Sequence, residues 1–312
     1  MKKCLLILSL LVLTIGAVFH LDYAPKYEHE LAICSMFQNE APYLKEWLDY
    51  HHHILGVTHF YLYNNGSTDH FEEVLAPYIK EGLVELIEWK SCEKNALYHE
   101  SVSVPFVAYQ IGAFNDCLKK RAFGKVRWVS VQDIDEYIVP IHGASSFKKL
   151  LKKASTVSLK ELLKNSFRAP KTKIGSFKLH WLVFGTSNLQ DLDPKVPLTQ
   201  QLYLRAQDNH HWHRHTKSIH RPEAVDFCIV HEALLNKNYK YKELNISEFR
   251  IHHYWSGSEK QLIKKRGYTK ESLEEFSKEF NATEDKAVFP YLEKLKKLSS
   301  LKIEFVFSPF FC

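Results

Sequence analysis

Two kinds of block alternate along the first 140 positions. Residues 31–37 (LAICSMF), 57–63 (VTHFYLY), 83–89 (LVELIEW) and 127–131 (RWVSV) are short apolar, β-rich runs, as expected of strands buried on both faces. Between the first two, Tyr43, Leu44, Trp47, Leu48, His51 and Leu55 keep helical spacing behind Pro42 and stop at Gly56. Helical patterns also cover 69–80, closed by Gly82, and 107–120. Strands alternating with helices of this length predict βαβ crossovers, hence an α/β fold on a mostly parallel sheet. Ligands bind such sheets at the carboxyl ends of the strands. Three polar clusters follow strands directly: 37–40, 64–69 and 133–136.

Farther on, 158–164, 258–266 and 284–298 read as helices, and 175–184 and 201–206 as strands. Neither a repeat nor a linker interrupts 24–312, which predicts one domain behind an N-terminal segment, 1–23. In that segment Lys2 and Lys3 precede an apolar run from Cys4 to Phe19. As a helix it would cover about 24 Å against a hydrocarbon core of about 30 Å. The segment is therefore read as a signal anchor or a cleaved signal peptide, making the protein membrane-associated or exported.

Composition adds limits. With 45% hydrophobic and 25% charged residues among 312, the chain is globular rather than disordered. A net charge of +6 is mild for this length, fitting an anionic small substrate or a membrane surface rather than nucleic acid. Six cysteines without a CxxC pair give no structural zinc pattern, and disulfides stay open.

The sharpest chemical signal is WVSVQDIDEY (128–137). Alternate residues at a strand end point the same way, so Asp133 and Asp135 share a face. Two carboxylates there suit a hard divalent cation such as Mn²⁺ or Mg²⁺, which keeps positions free for phosphate oxygens. A solvated acidic turn is the plain alternative.

With FQNEAPYLKEW (37–47), GVTHFYLYNNGSTD (56–69), the Asp133–Asp135 block, Lys217 to Arg221-Pro222 and IHHYWSGS (251–258), the chain resembles glycosyltransferase family 92 from about 31 to 268. That resemblance implies a GT-A fold, a nucleotide-sugar donor of the UDP-sugar type, galactosyl transfer with inversion as one known outcome, and a metal on the DxD pair. Under it, Asn39, Glu40, Asn64, Ser67 and Asp69 would bind base and ribose. Asp133 would contact ribose or metal, and Asp135 would hold the metal bridging the diphosphate. GT-A enzymes commonly add a histidine from the C-terminal half; His231, at a strand end, is the first choice, with His252 and His253 as competitors.

The basic stretch 209–221, carrying Lys217 and Arg221, reads as a cationic loop for a diphosphate or an anionic acceptor. It is not read as a zinc cluster, because no Cys or acidic partner lies at ligand spacing. His51, His52 and His53 point in three directions and read as one core and two surface histidines. An inverting transfer needs a base for the acceptor hydroxyl, and Asp226 and Glu232, flanking His231, are the candidates. The acceptor would be a glycan, glycolipid or glycoprotein. A non-catalytic carbohydrate-binding scaffold is the rival; the intact acidic pair speaks against it. Asn65, Asn245 and Asn281 head glycosylation sequons.

Overall fold

The computed structural model describes residues 26–89, 105–155 and 172–306. The apolar run 4–19 and the expected helix 158–164 lie outside these residues. Among the described residues, no helix is long and apolar enough to cross a membrane.

A nine-stranded mixed sheet forms the centre, in the order β3-β2-β1-β4-β8-β6-β12-β5, with β11 beside β6. Its first half is the parallel set β1 (His29–Phe37), β2 (His59–Asn64), β3 (Val84–Glu88) and β4 (Val126–Val131). These are the four apolar runs, within a few residues of the expected limits. In β1, Leu31 to Phe37 are all buried, because helices cover both faces. Leu31, Ile33 and Phe37 enter one core and Ala32, Cys34 and Met36 the other, the period of two that a strand imposes.

Helix α1 (Ala41–Asp49) runs into a π-helical turn, Tyr50–Leu55, that ends on left-handed Gly56. Helix α2 (Phe71–Lys80) connects β2 to β3, and α3 (Pro105–Asp116) precedes β4. As expected, His51 is fully buried while His52 is half-exposed.

The second half is less regular. It comprises β5 (Glu136–Pro140), β6 (Lys173–Val183), β8 (Thr216–His220), β11 (Tyr239–Glu243) and β12 (Phe249–His253). Strand β8 is antiparallel to both neighbours, β4 and β6. The stretch read as a cationic loop thus ends in a central strand whose Lys217, Ser218 and His220 are buried. Residues 201–206 do not form the expected strand: a one-turn helix, Leu198–Gln201, leaves only the two-residue β7, Leu204–Arg205. A hairpin of β9 (Val225–Cys228) and β10 (Ala233–Leu235) packs outside the sheet. Helices α4 (Ala144–Ser155), Glu259–Arg266, Lys270–Phe280 and Phe289–Val306 complete the layers.

Candidate active site

Strands β1, β2, β4, β6 and β12 all end at one edge of the sheet, and β8, running the other way, starts there. The turn Asp133–Glu136 leaves β4 at this edge. Its backbone is gripped from below by α1 and the π-helical turn: Trp47 Nε1 donates to Glu136 O at 2.9 Å and Tyr50 Oη to Ile138 O at 2.9 Å. His51 Nδ1 donates to Trp47 O (2.8 Å), leaving Nε2 to accept from Gln132 Nε2 (3.1 Å), which also donates to Glu136 O (2.9 Å). Burial pushes His51 down to about 3, so it stays neutral and keeps this bonding pattern.

The carboxylates of the turn have separate partners. Asp133 Oδ2 accepts from Lys217 Nζ at 2.9 Å, and its Oδ1 accepts from Gln110 Nε2 at 2.5 Å. Lys217 is fully buried and also lies 3.6 Å from Glu136 Oε2. Burial disfavours its charge, but Asp133 and Glu136 more than compensate and raise it above the ordinary lysine range. Glu136 accepts from Asp133 N (2.9 Å) through Oε2, while its Oε1 is buried without a partner. Burial lifts Glu136 to about 8 against the pull of Lys217, so this carboxyl mostly holds its proton at neutral pH.

Asp135 faces His253, with 3.5 Å from Oδ2 to Nε2. Burial works against both charges, yet each holds the other: His253 keeps Asp135 below its ordinary range, and Asp135 raises His253. A separation of 3.5 Å is long for a charge-assisted hydrogen bond. It is near the roughly 3 Å between neighbouring ligands of an octahedral cation at about 2.1 Å. This oxygen–nitrogen pair therefore fits a hard divalent ion. His253 Nδ1 is buried without a partner, and its ring lies 4.2 Å from that of Trp181, whose Nε1 is also unpartnered.

His231 also packs against Trp181, at 5.2 Å between rings. Its Nδ1 donates to Thr216 O (3.1 Å), which leaves Nε2 as the lone-pair nitrogen. Burial first, then Lys217, lowers it to about 4. Asp133, Asp135 and His231 do not share a common point. Among the described residues, the triad whose ligand atoms do is His210, His211 and Glu279. The histidine-rich stretch thus gains an acidic partner from 69 residues away, which linear spacing did not show. His210 Nδ1 accepts from Trp212 N (3.3 Å), so Nε2 carries the proton it shares with Glu279 Oε1 at 2.7 Å.

Of the expected donor residues, several knit the loops after β1 and β2 together. Asn39 N donates to Ser67 Oγ (2.9 Å) and Asn39 Oδ1 accepts from Thr68 N (2.7 Å). Asn64 Oδ1 accepts from Ser67 N (2.8 Å), and Asn64 Nδ2 donates to Glu88 (3.0 Å). Asp69 Oδ2 caps α1 through Ala41 N (2.8 Å), with Oδ1 buried and unpartnered. Glu40 lies 3.7 Å from Lys265; burial lifts it to about 7 against that lysine, with the charges of Asp135 and Asp69 adding to the rise.

Three expected residues are not brought to this cluster. Arg221 sits at the other end of β8, stacked 4.7 Å from the Trp128 ring and donating to Ala154 O at 2.8 Å. The reason is reach: four residues of extended chain cover about 13 Å, so Lys217 near the start of β8 and Arg221 just past its end lie at opposite ends of the strands. Asp226 is exposed on β9, and Glu232 is half-exposed and paired with Lys178 at 2.8 Å. Sequence reasoning missed Gln110, Gln132, Trp47 and Tyr50. An amide or aromatic that serves another residue's carboxylate or backbone carries no spacing signal of its own.

A half-buried acidic turn thus lies at the strand ends of a mixed α/β sheet, faced by a buried lysine and a histidine. The chain belongs to glycosyltransferase family 92, whose description matches residues 27–297. A family 92 protein of Arabidopsis thaliana is 31% identical over 232 residues, covering 73% of this chain and 35% of its own length. One of Oryza sativa subsp. japonica is 27% identical, covering 72% and 33%. The chain thus spans about a third of these relatives. Among solved structures, S. aureus TarS 1–349 is 12% identical over 72% of this chain and 60% of that one, with a TM-score of 0.36. A mannosyltransferase from Pyrobaculum calidifontis, in complex with GDP-Man and Mn²⁺, is 15% identical over 50% and 36%, with a TM-score of 0.29.

Proposed function

We propose that this protein is a metal-dependent glycosyltransferase of GT-A architecture. It moves a hexose from a nucleotide-sugar donor of the UDP-sugar type to a hydroxyl of a glycan, glycolipid or glycoprotein, with inversion. The observation that carries the reading is Asp135 facing His253 at the strand-end edge, in a chain of this family. Mn²⁺ or Mg²⁺ held by Asp135 with His253 would offset charge developing on the departing diphosphate. His231, with Nε2 turned to the lone pair, is the second nitrogen available nearby. Asp133, fixed by Lys217 and Gln110, presents its carboxylate to the ribose rather than to the metal. Glu40 and Asp69 line the base side. The N-terminal segment supplies the membrane association.

The test is a screen of UDP-sugars with and without Mn²⁺ for thermal stabilisation, since a ligand of the native state raises its melting temperature. A shift with one UDP-sugar that requires Mn²⁺ is expected. A uniform absence of shifts, together with no sugar transfer, would overturn the reading.

A further inference from the structure

Away from the acidic turn, the histidine-rich stretch ahead of β8 meets a carboxylate from much farther along the chain. His211–Arg214 make one 3₁₀ turn, and His210 caps its start. The cap orients the His210 ring: Nδ1 accepts from Trp212 N, and Phe280 packs edge-on against it at 4.9 Å between rings. Only 8% of this side chain is exposed. Its Nε2 faces Glu279 Oε1 at 2.7 Å, near the end of the helix Lys270–Phe280. His211 lies beside His210, 4.6 Å between rings. One nitrogen of each histidine and one Glu279 oxygen lie within 4.8 Å of one another. His211 and Glu279 are exposed, so an ion from solvent reaches the group without the core opening.

We propose that His210, His211 and Glu279 form a site for a divalent ion of the Zn²⁺ type, separate from the hard-cation site at Asp135. Two imidazoles and a carboxylate bind Zn²⁺ at about 2.0–2.2 Å each and leave the fourth tetrahedral position to water. Ligand atoms around such an ion stand roughly 3.3 Å apart. The His210–Glu279 pair therefore opens slightly, and the exposed His211 closes in. At His210 the ion takes the place of the Nε2 hydrogen, which moves to Nδ1. The bond from Trp212 N is released, and at 3.3 Å it is already long. Paired imidazoles separate this site from one for Mg²⁺ or Mn²⁺, which prefer carboxylate, carbonyl and water oxygens.

The consequence is a link between distant segments. His210 and Glu279 are 69 residues apart in the chain. An ion between them would tie the end of a surface helix to the turn that leads, through Thr216, into the buried Lys217. The proposal does not depend on the transfer reaction.

Calorimetric titration of the metal-free, tag-free full chain with Zn²⁺ tests it, with Co²⁺ as a spectroscopic probe of the same site. Saturable Zn²⁺ binding is expected, and a Co²⁺ form with the visible bands of tetrahedral coordination. His211→Ala and Glu279→Gln should each weaken this binding more than about ten-fold and erase the tetrahedral bands. Both side chains are exposed, so melting without Zn²⁺ should match that of the unaltered chain. No saturable site on the unaltered chain, or the same number and affinity of sites in both variants, overturns the proposal. Mn²⁺-dependent stabilisation of the variants by UDP-sugar reads the donor site separately, so failure of one reading is distinguishable from failure of the other.

Discussion

The two halves of the sheet do different work at the same edge. The parallel half, β1 to β4 with α1, supplies a stiff frame: Trp47, Tyr50, His51 and Gln132 fix the backbone of the acidic turn without touching Asp133 or Asp135 in the hydrogen bonds described. The mixed half supplies the countercharges, Lys217 from β8 and His253 from β12. An antiparallel strand inserted into a parallel sheet is what makes this possible. It brings the start of one segment to the strand-end edge, so a lysine far along the chain meets a carboxylate of the first half.

This division can be broken from either side. The largest effect is expected at the carboxylate itself: Asp135→Ala should lower Mn²⁺-dependent transfer at least about a hundred-fold, in a sugar-transfer assay, while unfolding stays cooperative. Retained full activity would show that the countercharge half serves another purpose. Lys217→Met strips the cation from Asp133, whose carboxylate is 29% exposed and keeps its Gln110 bond, while Glu136 holds its proton; losing this charge-assisted pair is expected to cost about 1.5–3 kcal/mol. Urea unfolding should register that loss; an unchanged midpoint would mean that the pair is not closed in solution.

A smaller effect concerns acid. Burial holds His220 at about 3, against an ordinary 6.5. The unfolded chain therefore takes up a proton that the folded chain refuses, and the stabilisation, full above pH 6.5, is lost progressively as pH falls toward 3. His51 and His252 share the direction and the cause. Replacing His220 with Asn should reduce the stability lost between pH 7 and pH 5 by about 2 kcal/mol, measured as urea midpoints at the two pH values. The smallest effect sharpens the contrast within one strand. Arg221→Ala, at the far end of β8 from Lys217, should leave UDP-sugar affinity unchanged, as read by titration calorimetry.

How far the sequence could be read follows the same division. The parallel strands announce themselves because both faces are apolar, as in LAICSMF. The α/β class and the acidic pair follow from that half, while the family resemblance also draws on 217–222 and 251–258 in the other. Strands β8 (TKSIH) and β12 (FRIHH) do not, because several of their buried or half-buried positions are polar and acceptable only with distant partners: Asp133 for Lys217, Asp135 for His253, Asp285 for Arg250. A polar residue in a core strand looks like a loop residue until its partner is known. For that reason Arg221 reads as part of the site, and His253 reads as second to His231.

One feature of the parallel half has a use of its own. Cys34, Cys117 and Cys228 are free thiols, all fully buried in one core, and burial raises Cys34 and Cys228 above the ordinary thiol range. A thiol that is neither exposed nor ionised does not react with alkylating agents while the fold is closed. Their alkylation is therefore a clock for the opening of that core. Mass spectrometry that counts these sites over time would time the loss of the frame apart from events at the active edge.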